Sequence, residues 1–105
     1  MNIVDSSGWL EYFSDGPNSD EYEEPLSNRE KLIVPSICLY EVFKAVLRER
    51  DENSALQSVA VMHQGKIVDL NTEIAVSAVK ISLKHKIPMA DSIILSTGYI
   101  YNAVI

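Results

Sequence analysis

With a single cysteine, Cys38, in 105 residues, the chain has neither an intramolecular disulfide framework nor a cysteine-based zinc site. Cys38 falls in an apolar helical stretch and reads as a small core residue. Long hydrophobic runs are missing too. Charge or polarity interrupts each apolar run within a few residues, short of the roughly 20 that a membrane-spanning helix needs. Met1 is followed almost at once by Asp5, without a basic n-region or an apolar h-region, so a cytoplasmic protein with no secretory leader and no membrane association is expected. Nor is there a basic excess. Nine Lys and Arg against fifteen Asp and Glu give a formal charge of -6, which argues weakly against a protein that grips nucleic acid by its backbone. Much of that negative charge is local, in Asp15, Asp20, Glu21, Glu23 and Glu24. There is no low-complexity tract, and the apolar fraction is 47%. One ordinary globular domain with one core is the expectation.

What is present is an alternation of short apolar runs with amphipathic stretches. Residues 1–5 are continuous in hydrophobicity apart from Asn2, as a central parallel strand would be. Ser6 or Ser7 is expected to cap the next helix, with Trp9, Leu10, Tyr12 and Phe13 on its apolar side and Asp15-Gly16-Pro17-Asn18 as its stop. Residues 18–30 read as a solvated acidic connection, helical in part, with Pro25 starting a new turn or breaking the first. A second strand covers 31–34. Ser36 is expected to cap a helix whose buried stripe is Ile37, Tyr40, Val42, Phe43, Val46 and Leu47. After a charged corner at 48–53, a helix over about 54–63 carries Leu56, Val59, Ala60 and Met62, and Gly65 stops it. Residues 67–70 form a third strand. Asn71 or Thr72 caps a helix bearing Ile74, Ala75, Ala78, Val79 and Leu83, and Lys84-His85-Lys86 closes it. The stretch 87–105 gives an apolar helix with Asp91 in its first turn, then a strand over 103–105. Short strands alternating with helices predict an α/β fold, a central parallel sheet flanked by helices on both faces.

Sites in such sheets form beyond the carboxyl ends of the strands. Asp5 ends the first strand, Glu41 lies a little over one turn into the helix after the second, and Asp91 opens the last helix. Three carboxylates gathered in one pocket repel one another, and a hard divalent cation reverses that sign. Bound there, Mg²⁺ would activate water toward a phosphodiester and stabilise the phosphoryl oxygens. By spacing alone, three acids in a small domain are also compatible with solvated surface. Ser6, Ser7 and Ser36 lie close in sequence to this pocket, with capping as their commoner job. Lys44 and Arg48 follow Glu41 at helical spacings and are candidates for holding the phosphates of such a substrate, or ordinary solvated charges. His63 and His85 sit near helix ends and are not expected to be ligands. A receiver-like phosphoacceptor would also have an acid at the end of its first strand, but a paired acid beside Asp5 is missing.

Four stretches in order, Ile3-Val4-Asp5-Ser6-Ser7-Gly8-Trp9-Leu10, Val34-Pro35-Ser36-Ile37-Cys38-Leu39-Tyr40-Glu41-Val42, Leu70-Asn71-Thr72-Glu73-Ile74-Ala75 and Ile87-Pro88-Met89-Ala90-Asp91-Ser92-Ile93-Ile94-Leu95-Ser96, resemble the motifs of the PIN domain. Within that family they are most similar to VapC-type toxins of toxin–antitoxin pairs. The resemblance implies a PIN-like three-layer fold and a Mg²⁺- or Mn²⁺-dependent endoribonuclease that hydrolyses RNA with metal-activated water. It implies Asp5, Glu41 and Asp91 as catalytic, metal-holding acids, with Ser7 in support. It also implies a homodimer and a cognate VapB-like antitoxin that blocks the site. Family members usually continue past the strand near Ala103 through a Thr-x-Asp-x-Asp-Phe-like stretch that supplies a further acid. This chain ends at Ile105, so 1–105 is read as a single PIN-like domain short of that motif, final strand and helix, with poor metal binding and a dimeric or swapped assembly expected. The alternative is a catalytically inactive PIN-like module for binding and dimerisation.

Overall fold

A computed structural model of the chain describes residues 1–14, 16 and 19–105, with the backbone alone at 22–25. Strand β2 (Leu32–Pro35) is buried along its whole length. A strand covered on both faces can afford no polar alternation, and its four residues have none. It lies between β1 (Asn2–Ile3) and β3 (Lys66–Val68), all parallel, with Ile3 opposite Ile33 and Val34 opposite Ile67. On the far side of β1, Val104 forms one parallel bridge to Asn2: the Ile3 N–H donates to the Val104 carbonyl at 2.7 Å and the Val104 N–H to the Met1 carbonyl at 3.0 Å. The strands expected over 1–5 and 103–105 thus contract to two residues and a single bridge.

Among the described residues the strands are joined by six helices, α1 (Ser6–Phe13), α2 (Asp20–Ser27), α3 (Ser36–Glu49), α4 (Glu52–Met62), α5 (Thr72–His85) and α6 (Met89–Tyr101), with a 3-10 turn at Arg29–Lys31. The expected stop at Asp15-Gly16-Pro17-Asn18 lies, apart from Gly16, outside the described residues. Helix α2 runs through Pro25, and Leu26 behind it is fully buried. The 18–30 stretch is therefore more than a solvated connection, because its one Leu completes the core. On α3 the buried side is Cys38, Val42 and Val46, a narrow i, i+4, i+8 line. Tyr40 and Leu47, expected inside, are 61% and 45% exposed. On α4 the core side is Ala55, Ser58 and Met62, and Leu56 faces solvent. Val79 and Leu83 of α5 are likewise exposed.

Asp51 caps α4 by accepting from the Ser54 N–H at 2.7 Å, and Asn71 caps α5 through Ile74 N–H at 2.9 Å. Gly65 acts by size. A Cβ there would stand 2.9 Å from Val34 Cγ2 and 3.1 Å from the Leu32 carbonyl oxygen, so the turn into β3 crosses β2 too closely for a side chain. Helix α6 buries Ser92, Ser96 and Thr97, whose hydroxyls donate to the carbonyls of Met89, Ile74 and Ile93 at 2.7, 2.9 and 2.8 Å. Those bonds let three polar residues sit in the core without unpaired groups. The Ser96 bond also ties α6 to α5. Among the described residues, no helix is long and apolar enough to cross a membrane.

Candidate active site

Asp5 leaves β1 in extended backbone and opens α1. Its Oδ1 accepts from the Gly8 N–H at 2.8 Å, which makes Asp5 the helix cap in place of either serine. The Ser7 hydroxyl donates to the same oxygen at 3.0 Å. Both bonds fall on Oδ1, and Oδ2 accepts none among the described residues. With capping done by the acid, Ser6 is free to turn toward α3. Its hydroxyl donates to Glu41 Oε1 at 2.6 Å, across 35 residues of sequence, in the short range of charge-assisted bonds.

Cys38 lies one turn before Glu41 on α3 and is fully buried. Burial pushes its thiol up to about 12; the Ser6 hydroxyl beside it pulls the other way, and the charges of Glu41 and then Asp5 raise it further. Because Ser6, next to Asp5 in the chain, bonds Glu41, the two acids stand at the same corner, where α1 starts and α3 begins its second turn. A thiol held that high has almost no thiolate at neutral pH. Native protein at pH 8 is expected to leave Cys38 unmodified by a disulfide reagent, and protein in strong urea to titrate one thiol. Rapid reaction in the native state would contradict the burial of this corner.

Asp91 stands in the first turn of α6, exposed, where the helix dipole favours an acid. It makes no hydrogen bond or ion pair among the described residues, although α6 packs on the α3 that carries Glu41. Among the described residues, no three of His, Cys, Asp and Glu form a group able to hold a metal ion. The donors at the Asp5–Glu41 corner are carboxylate oxygens, and the protonated Cys38 offers no soft ligand. That set fits a hard cation such as Mg²⁺ or Mn²⁺, for which one or two carboxylates with water suffice. Asp5 also lines an open cleft of about 360 Å³, together with Asn2, Val4, Glu21, Val104 and Ile105. Glu41 and Asp91 do not line it.

Ser36 does not cap α3, whose N-cap is Pro35. Its Oγ accepts instead from the Leu70 N–H at 3.2 Å, tying the carboxyl ends of β2 and β3 together. Lys44 and Arg48 are exposed on α3. The Lys44 ammonium sits 5.6 Å from the Tyr40 ring centroid, and Arg48 reaches Glu49 at 3.8 Å in an open pair of little energetic weight.

Fold and site together define an α/β protein with acids just beyond the carboxyl ends of two adjacent parallel strands, the place where such sheets carry their sites. A family model described as the PIN domain matches residues 3–105, and the chain belongs to the PIN domain family. No curated protein matches the sequence. Solved structures share the fold, among them the following three. A toxin–antitoxin complex from Klebsiella pneumoniae is similar with a TM-score of 0.82 at 17% identity, over 98% of this chain and 82% of that one. VapC20 of Mycobacterium tuberculosis, a Sarcin-Ricin loop cleaving toxin, gives 0.81 at 13% identity, over 98% and 85%. VapBC2 from Rickettsia felis, bound to a DNA fragment from its promoter, gives 0.73 at 16% identity, over 97% and 83%.

Proposed function

We propose that this chain is a Mg²⁺- or Mn²⁺-dependent endoribonuclease of the VapC toxin type, acting on RNA phosphodiester bonds in the cytoplasm. The observation that carries the reading is the hydrogen bond from Ser6, the residue next to Asp5 in the chain, to Glu41, beyond adjacent parallel strands of a PIN-family fold. Asp5 and Glu41 would hold the cation, with Asp91 joining from the amino end of α6. A cation held there stabilises charge on the phosphoryl oxygens and eases deprotonation of an attacking water. Ser7 and the Gly8 N–H fix Asp5 through one oxygen and leave the other available. Lys44 and Arg48, on the exposed face of the helix that bears Glu41, are the cations proposed to hold RNA phosphates.

The similar fold of two toxin–antitoxin assemblies supports a cognate VapB-like antitoxin as partner. A homodimer is supported by exposed apolar side chains on α5 and α6, Val79, Leu83 and Met89, around an apolar groove of about 330 Å³.

The test is a titration of Mn²⁺ or Mg²⁺ followed by melting temperature, with cleavage of labelled RNA assayed beside it. Saturation at about a hundred times Kd stabilises the fold by about 2.7 kcal/mol, and EDTA is expected to stop cleavage. Cleavage undiminished in EDTA would remove the metal from the proposal. Stabilisation by metal with no cleavage of any RNA offered would select the inactive binding module.

A further inference from the structure

We propose that Ser6 is a positioning residue for Glu41, holding its carboxylate in the orientation that binds a divalent cation. The inference rests on the reading of Asp5 and Glu41 as metal-holding acids. Glu41 is half-buried, six residues into α3. A glutamate has three rotatable side-chain bonds, and an untethered one must be ordered each time a ligand is taken up. Here one oxygen is already engaged, by a 2.6 Å bond from a different helix.

The direction of that bond is fixed by chemistry. A serine hydroxyl carries one proton, and an ionised carboxylate has none to give. The proton therefore points at Glu41 Oε1, and the buried thiol of Cys38 lies beside the Ser6 hydroxyl. Ser6 is itself anchored as the first residue of α1, immediately after the cap Asp5. The two neighbouring serines thus divide the work: Ser7 donates to Asp5, and Ser6 donates to Glu41. Hydroxyls that orient carboxylate ligands typically change metal affinity by tenfold or more when removed. A serine that merely tied α1 to α3 would lower stability and leave affinity alone.

Mn²⁺ binding to the 105-residue chain, measured by calorimetry for wild type, Ser6→Ala, Ser6→Cys and Ser6→Thr, separates these roles. Melting temperature without metal is recorded for each. Ser6→Ala and the near-isosteric Ser6→Cys, a much weaker donor, are expected to bind Mn²⁺ about tenfold to a hundredfold more weakly. Ser6→Thr, which keeps the hydroxyl, is expected to stay within about threefold of wild type, a margin well inside that loss. Wild-type affinity in Ser6→Cys, or a Thr variant as weak as the Cys variant, would overturn the proposal and leave the nuclease reading standing. Absence of Mn²⁺ affinity in the wild type itself would overturn both.

Discussion

Asp5→Asn is expected to abolish metal-dependent RNA cleavage while the fold survives. Asparagine caps a helix about as well as aspartate, so the Gly8 N–H keeps its acceptor and Ser7 keeps a carbonyl oxygen to donate to. What disappears is a negative charge and a hard anionic ligand. If that ligand is worth several kcal/mol of charge stabilisation in the transition state, cleavage falls by at least about a hundredfold. The metal-free variant should melt no lower than wild type, because removing one of two neighbouring acids relieves their repulsion. Added Mn²⁺ should no longer raise its melting temperature. Asp5→Ala gives the contrast: it loses the charge and the cap together, and an additional destabilisation of about 1 kcal/mol is expected. Wild-type cleavage and undiminished metal stabilisation in Asp5→Asn would show that the carboxylate serves only as a helix cap.

Asp5, the observed cap of α1 and a proposed metal ligand, also marks where the sequence is legible and where it is not. Continuous apolar runs gave the parallel strands, and helices between them gave the crossovers, because a buried parallel strand has no polar face to hide. The placement of Asp5 and Glu41 followed from strand ends alone. Which residue capped α1 did not, since Asp and Ser are about equally good caps; the structure chose the acid and released Ser6 for Glu41. No local signal announces a bond between residues 6 and 41. Helix faces failed for a related reason. Hydropathy marked Tyr40 and Leu47 as core, yet α3 buries only the line Cys38, Val42 and Val46, and the width of a buried stripe depends on what packs against it. Leu26 was hidden by its acidic surroundings. A lone Leu in a charged segment became core only because α2 folds back onto α1.

Trp9→Ala is expected to cost about 3–5 kcal/mol, a large part of the 5–15 kcal/mol that holds a typical domain together. Trp9 is fully buried and stacks on Phe13 with ring centroids 5.6 Å apart. It is the sole tryptophan, so unfolding in urea has to be followed by far-UV circular dichroism. The informative companion is Trp9→Phe. The indole Nε1 is buried with no hydrogen-bond partner among the described residues, and an unsatisfied buried donor costs about 1–3 kcal/mol. Phenylalanine removes that donor while it gives up part of the ring volume, and the two effects oppose each other. A net loss of about 1 kcal/mol or less is therefore expected for Trp9→Phe, far below that for Trp9→Ala, given the usual cost of emptying an aromatic site. Two variants equally destabilised would mean that the indole N–H is satisfied in solution, and that Trp9 holds α1 by a hydrogen bond as well as by its buried surface.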